Sequence, residues 1–276
     1  MSLLVLFARQ ELLLAVRSKW TQVFTAVFAV LALAVAGAGY VVTGGSGLQD
    51  FARTAVSLMQ LVILLVPMVA LVLGVISFAP EHGAAELLYS QPVGRRTILL
   101  GKLLGLFVAL FAAQTIGFGL AGLVILRQVG GYGASTFGLL ITSSAVLTAI
   151  FLGIAAALAG GVTGRHRARA LAAALIVWFS VVILYDVIAL GAASLMPSGY
   201  ASRLLISAAL INPVDAIRTG ALLAVEGPGA FGPASAALLR FTGGPVGAGA
   251  LIVLSIVFWL IAPALVGMRR VTRADI

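Results

Sequence analysis

The chain has 276 residues, of which 62% are hydrophobic and 9% charged, with a formal net charge of +9 and a mean hydropathy of +1.19. A soluble domain carries about 25% charged residues to wet its surface, so most of this exterior must face lipid. Disorder and collagen-like repeats are excluded, and the absence of cysteine removes disulfide scaffolds, thiolate metal sites and thiol catalysis.

Residues 1–19 come first. Leu3 to Val16 is apolar but interrupted by Arg9, Gln10 and Glu11, which predicts a helix lying in the membrane interface. The alternative is an extension of the first span. Apolar runs long enough to cross about 30 Å of hydrocarbon then follow at Trp20 to Val42, Val56 to Ala79, Thr97 to Leu126, Thr136 to Val162, Ala170 to Met196 and Gly247 to Gly267. Strand-type alternation is absent, so the fold class is an all-α integral membrane protein with six transmembrane helices in one domain, 1–276. Ala34-Val35-Ala36 has the small-residue spacing of a signal-peptidase site. The run to Val42 is longer than a signal core of about 7–15 residues, so a retained span is expected.

Arg9, Arg17, Lys19, Arg95, Arg96, Lys102, Arg165, Arg167, Arg169, Arg269, Arg270 and Arg273 fall on one side of that topology, 12 of the 17 basic residues. Arg53, Arg127, Arg203, Arg218 and Arg240 fall on the other. The positive-inside rule makes both termini cytoplasmic. The basic residues form short groups between spans and no soluble basic face, so the charge sets orientation and does not point to nucleic acid.

Two connections carry information. Segment 80–96 is cytoplasmic, with prolines at 80 and 92 and acids at Glu81 and Glu86. Glu81, His82 and Glu86 could hold a metal on paper, but a solvated loop explains them, and no metal site is expected. Segment 197–246 is extracytoplasmic, rich in Gly and Pro but not polar. A structureless loop of about 50 residues would be unusual, so short or re-entrant helices partly embedded in the outer leaflet are expected. Asn212-Pro213-Val214-Asp215 is a helix start, with Asn as cap, Pro at the first position and Asp at the positive dipole end. Arg218 then lies within reach of Asp215 on the helix.

Asp186 is the one acid deep in a span, at a cost of roughly 2.5–3.5 kcal/mol on insertion scales. It marks a substrate path or interface, or it bonds a neighbouring Ser, Tyr or backbone group. Gly117-Phe118-Gly119-Leu120-Ala121-Gly122 spells a dinucleotide fingerprint but lies inside an apolar helix without the required strand; close packing of small residues explains it, as it does Gly101 and Gly105. No Gly-x-x-x-x-Gly-Lys-Ser/Thr loop, His-Glu-x-x-His pair or Gly-x-Ser-x-Gly elbow occurs, so the chain has no such route to ATP, zinc proteolysis or acyl transfer. Energised work would need another subunit.

The stretch from Pro80-Glu81-His82-Gly83-Ala84-Ala85-Glu86-Leu87-Leu88 to Pro92-Val93-Gly94-Arg95, followed by Gly101-Lys102, resembles the first cytoplasmic loop of type-2 ABC exporter permeases. That family has an acidic, glycine-containing turn, a Leu-Leu pair, Pro-Val-x-Arg and a Gly-Lys entering the third span. Ala84 stands where it often has Thr or Ser. Ala8-Arg9-Gln10-Glu11-Leu12, Arg17-Ser18-Lys19-Trp20, Val66-Pro67-Met68, Val177-Trp178-Phe179 with Asp186, and Ile211-Asn212-Pro213-Val214-Asp215-Ala216-Ile217-Arg218 resemble, within it, the permeases of nitrous-oxide-reductase maturation (Nos) systems.

The resemblance implies a homodimer in a bacterial inner membrane, resting on a separate cytoplasmic ABC ATPase dimer that binds ATP and Mg. This chain would bind no cofactor itself. Glu81, Gly83, Glu86, Leu87, Pro92 and Arg95 would belong to a coupling helix inserted into the ATPase. Asn212, Pro213, Asp215 and Arg218 would form a docking surface or lateral gate, and a periplasmic β-helix protein that helps mature a copper–sulfur centre would be the outer partner. The chain has no Cys, its histidines (His82 and His166) are on the cytoplasmic side, and its Met residues (Met1, Met59, Met68, Met196, Met268) are dispersed. It therefore suits transmission of motion better than copper(I) binding, which favours clustered thiolates or thioethers. A type-2 exporter of lipid, drug or peptide is the alternative, and an ATP-independent membrane enzyme or scaffold belongs to a third class.

Overall fold

Backbone N–H and C=O groups in hydrocarbon must bond within their own segment, and helices satisfy that demand in every apolar run of this chain. The computed structural model describes residues 2–43, 48–79, 93–129, 134–162, 166–226, 239 and 241–274. The helices are α1 (Leu3–Arg17), α2 (Lys19–Thr43), α3 (Leu48–Phe78), α4 (Arg95–Val129), α5 (Ala134–Ala159), α6 (Arg167–Ser194), α7 (Ser198–Ile211), α8 (Pro213–Glu226) and α9 (Pro245–Arg273). No strand occurs among the described residues. Six of these helices, α2 to α6 and α9, are long and apolar enough to cross a membrane, matching the six expected spans.

Helix α5 and helix α3 are the most buried, and α6 and α9 the least. Helix α5 packs against α3, α4, α8 and α9, and α2 against α3 and α4. Apolar side chains gain little by leaving lipid for one another, so such helices associate through close packing of small residues. Ala70, Ala155, Ala156, Ala159 and Ala174 are accordingly fully buried. A Cβ on Gly267 of α9 would lie 2.8 Å from the Ala156 carbonyl carbon of α5, so the two backbones touch with no side chain between them. Gly117 makes room for the Phe28 ring, which a Cβ would approach to 2.6 Å, whereas Gly119 faces open space. Of the fingerprint-like glycines, the first therefore serves close packing and the second does not.

Ser18 is extended (φ −67°, ψ 127°) and ends α1 before α2 begins, so the first helix is separate and not an extension of the first span. Phe7, Glu11 and Ala15, four apart, form its buried stripe, while Leu3, Leu6, Leu13 and Leu14 are exposed. The stripe lies on α4 at Gly101 and Gly105, where a Cβ would meet Phe7 Cβ at 2.5 Å and the Ala8 carbonyl oxygen at 2.4 Å. Glu11 is buried and pairs with Lys102 Nζ at 3.3 Å. It also accepts a hydrogen bond from Ser77 Oγ at 2.6 Å, and Lys102 donates to the Ser77 carbonyl at 3.0 Å. One carboxylate thus joins α1, the end of α3 and the start of α4. Deeper in the bundle, Gln114 of α4 donates to Thr148 Oγ1 of α5 at 2.9 Å and accepts from Ser144. These satisfy an amide that would otherwise be orphaned at the core.

Candidate functional site

A helix leaves its last four carbonyls without intrahelical donors, and in a membrane those oxygens need protein partners. Helix α7 ends at Ile211, and three of its terminal carbonyls are met from two neighbouring spans. Tyr185 Oη of α6 donates to Ala208 O at 3.1 Å. From α9, Ser255 Oγ donates to Leu210 O at 2.5 Å and Trp259 Nε1 to Ile211 O at 2.9 Å. Trp259 is the middle residue of α9 (Pro245–Arg273). The tip of the α7–α8 hairpin therefore meets α9 at the middle of that helix.

The turn is built as its residues predict. Asn212 Oδ1 accepts from Val214 N at 2.9 Å and the Asn212 carbonyl from Ala216 N at 2.9 Å, so Asn212 caps α8 with Pro213 in the first position. Its amide has a second task that sequence did not reveal. Asn212 Nδ2 donates to the Val181 carbonyl at 2.8 Å, within a π-helical turn, Ser180–Leu184, in the middle of α6. A π turn displaces the regular i→i−4 register, and here the cap side chain of one helix covers a carbonyl in that turn of another.

One turn beyond the tip, Arg218 Nη2 pairs with Asp186 Oδ2 of α6 at 3.0 Å and with Asp215 of its own helix. Asp186 is thus neither alone nor bonded only to backbone: it is the α6 half of an ion cluster that ties the hairpin to the span. Asn212, Pro213 and Asp215 are buried and Arg218 is half-buried, so these residues face into the bundle. Burial pushes the Asp215 carboxyl up to about 7; Arg218 opposes this, the Asp186 carboxylate adds to it, and Asn212 opposes it weakly.

The sign of the pH effect follows. Below the ordinary value of 3.8 both folded and unfolded forms hold the proton and pH has no leverage. Between 3.8 and about 7 the unfolded chain has lost a proton that the folded chain keeps, so stability falls as pH rises. The unfolding midpoint of the detergent-solubilised chain is expected to fall from pH 5 to pH 7 and flatten above it. Asp215→Asn should remove most of that slope; a slope unchanged by the substitution would assign it to another group.

Of the residues expected to couple to an ATPase, Glu81, Gly83, Glu86, Leu87 and Pro92 lie outside the described residues. Arg95 is described: it opens α4, and its Nη1 donates to the carbonyls of Val271 at 3.3 Å and Ala274 at 2.5 Å, at the end of α9. The chain's basic ends of α4 and α9 are therefore joined. Sequence reasoning missed Tyr185, Ser255 and Trp259; the signal available was the need of a membrane-embedded helix end for donors, and polar-tipped side chains inside spans are where donors are found.

An apolar cavity of about 430 Å³ lies beside the hairpin, lined among others by Thr142, Ser143 and Val146 of α5, Ile217 and Ala221 of α8, and Ile252 of α9.

Residues 6–276 match the family described as "ABC-2 family transporter protein". The chain is 36% identical over 228 residues to the "Probable ABC transporter permease protein NosY" of Stutzerimonas stutzeri, covering 80% of this chain and 82% of that protein. It is 35% identical over 217 residues to the protein of the same name from Pseudomonas aeruginosa, covering 76% and 78%. With six membrane-crossing helices and a family match along nearly its whole length, the chain belongs to the ABC-2 family of ABC transporter permeases.

Proposed function

We propose that this chain is a Nos-type permease: a homodimeric subunit that carries ATP-driven motion from a separate cytoplasmic ATPase to the extracytoplasmic side, for maturation of the copper–sulfur centre of nitrous oxide reductase. The observation that carries this reading is the similarity to two NosY permeases along about four-fifths of the chain. In it, 1–276 is one permease domain with both termini cytoplasmic, in the inner membrane. ATP and Mg belong to the partner ATPase, and neither cofactor nor copper to this chain. The outer partner is a periplasmic β-helix protein.

The segment with Glu81, Gly83, Glu86, Leu87 and Pro92 is the contact for the ATPase. The hairpin tip at Asn212, Pro213, Asp215 and Arg218 is read as a docking surface or lateral gate, and its burial within the chain favours the gate. In this reading its ion cluster with Asp186 is a latch that holds the hairpin until the cycle releases it, the kind of contact on which a switching element turns. A second reading is an exporter of lipid or another apolar substrate, favoured by the apolar cavity beside the hairpin.

Mild-detergent purification from the native membrane, with mass spectrometry of co-eluting proteins, tests both. An ATPase together with a periplasmic β-helix protein supports maturation. An ATPase alone favours plain export, and neither would overturn both. Charge reversal at Glu81 and Glu86 together is expected to abolish ATPase association while leaving membrane insertion intact; unchanged association and activity in the cell would remove the segment from the coupling contact.

A further inference from the structure

Three helices frame the cavity beside the hairpin, and each gives it one face. Helix α9 lines it with Pro245, Gly249, Ile252 and Ile256, a spacing of four, three and four residues that makes one stripe of a helix. From α5 come Thr142, Ser143 and Val146, and from α8 Ile217 and Ala221. The α9 stripe is about 16 Å long at ~1.5 Å per residue. One leaflet of a hydrocarbon core about 30 Å thick has nearly the same depth. The stripe occupies the half of α9 away from its basic end at Arg269, Arg270 and Arg273.

The lining excludes water. Of its described side chains only Thr142 and Ser143 carry a polar atom, and the Thr142 hydroxyl already donates to the Gly138 carbonyl at 2.7 Å. A buried water needs two to four polar partners, which these walls do not offer. The mouth meets hydrocarbon. Thr142 and Val253, both in the lining, are exposed, and both belong to helices that cross the membrane. An open apolar space of about 430 Å³ on that surface forfeits dispersion contacts along every wall, and the molecules at its mouth are lipid chains. A Cβ on Gly249 would find nothing within 4 Å, so the glycine keeps a stretch of the α9 wall clear.

We propose that this cavity is a binding site for one acyl chain of a membrane phospholipid, which completes the packing of α8 against α5 and α9. The proposal goes beyond the function proposed above and needs neither an ATPase nor a cargo: the chain is held as part of the bundle.

The test uses the full chain in phosphatidylcholine nanodiscs containing a trace of phosphatidylcholine with a diazirine near the end of one acyl chain. After illumination, cross-linked peptides are identified by mass spectrometry. Labelling of Leu139–Val146 and Gly249–Ile256 should exceed that of Val187–Leu190 several-fold. Val187, Ile188 and Leu190 of α6 are exposed and report ordinary lipid contact. Gly249→Phe, which puts a ring into the cavity, should lower labelling of Leu139–Val146 several-fold and leave Val187–Leu190 unchanged. Ala224→Phe, entering from α8, should do the same if Gly249→Phe does not fold. Gly119→Phe in α4, where a Cβ also meets nothing within 4 Å, is the control and should alter neither.

Equal labelling of all three stretches in the parent would mean contact with bulk lipid and overturn the site. So would labelling of Leu139–Val146 that survives both filled variants. The chain has no cysteine, so Gly249→Cys reports alone. An unlabelled cavity, with Gly249→Cys giving a disulfide-linked dimer on oxidation, would assign the space to a second copy of the chain and overturn the proposal.

Discussion

Gly105→Val is expected to detach α1 from α4 and lower the unfolding midpoint of the purified chain by several degrees or more. A Cβ there would lie 2.4 Å from the Ala8 carbonyl oxygen, 2.7 Å from Glu11 Cβ and 2.9 Å from Leu12 N. Two of those three atoms are backbone, so no side chain can rotate away and the whole helix must shift. Overpacking of this kind costs about 1–3 kcal/mol, and more is lost because Glu11 is drawn off Lys102 and Ser77, leaving a buried carboxylate without its partners. Gly119→Val is the control: it sits in the same helix with nothing within 4 Å of its Cβ and should change the midpoint little. Equal effects from the two substitutions would show that α1 does not lie on Gly105. Cleavage by trypsin after Arg17, at the α1–α2 junction, should also accelerate in Gly105→Val alone.

Arg218→Ala is the second substitution with a large expected effect. It leaves Asp186 and Asp215 facing each other across the α6–α8 contact without the guanidinium that now bridges them. Breaking a buried pair by removing one partner costs about 3–5 kcal/mol. The defect should shrink as pH is lowered, since protonation removes the repulsion, and Arg218→Ala with Asp215→Asn should regain stability over the single variant. Thermal unfolding of the single and double variants at pH 5.5 and 8 reads both. A double variant no better than the single one would mean that the two carboxylates do not share the cation.

The membrane class, the number of spans and the cap at Asn212 were legible in the sequence because each depends on local chemistry. Twenty apolar residues cross a bilayer wherever they stand, and an Asn-Pro pair starts a helix through its own side chain and ring. The pairing of Asp215 with Arg218 was legible for the same reason, since three residues on a helix are one turn. The family was legible too, in motifs that run from Ala8 to Arg218, and the match over residues 6–276 bears it out.

What joins distant segments was not legible. Asp186 is 32 residues from Arg218, Asn212 is 31 from Val181, and Arg95 is 176 from Val271. No periodicity specifies which carbonyl a side chain will meet across such separations. The place of the hairpin tip is of the same kind: the low polarity of 197–246 marks it as no ordinary loop, but only the packing of α7 and α8 against α6 and α9 brings Ile211 O to Trp259 at the middle of α9. The sequence by itself determined the helices, the lipid-facing surface and the local caps, because hydrophobicity and short-range sterics act within a turn or two. The tertiary structure alone decided the ion cluster, the capped π turn and the contacts along α9, because a buried donor or charge takes its partner from whichever helix the whole bundle places beside it.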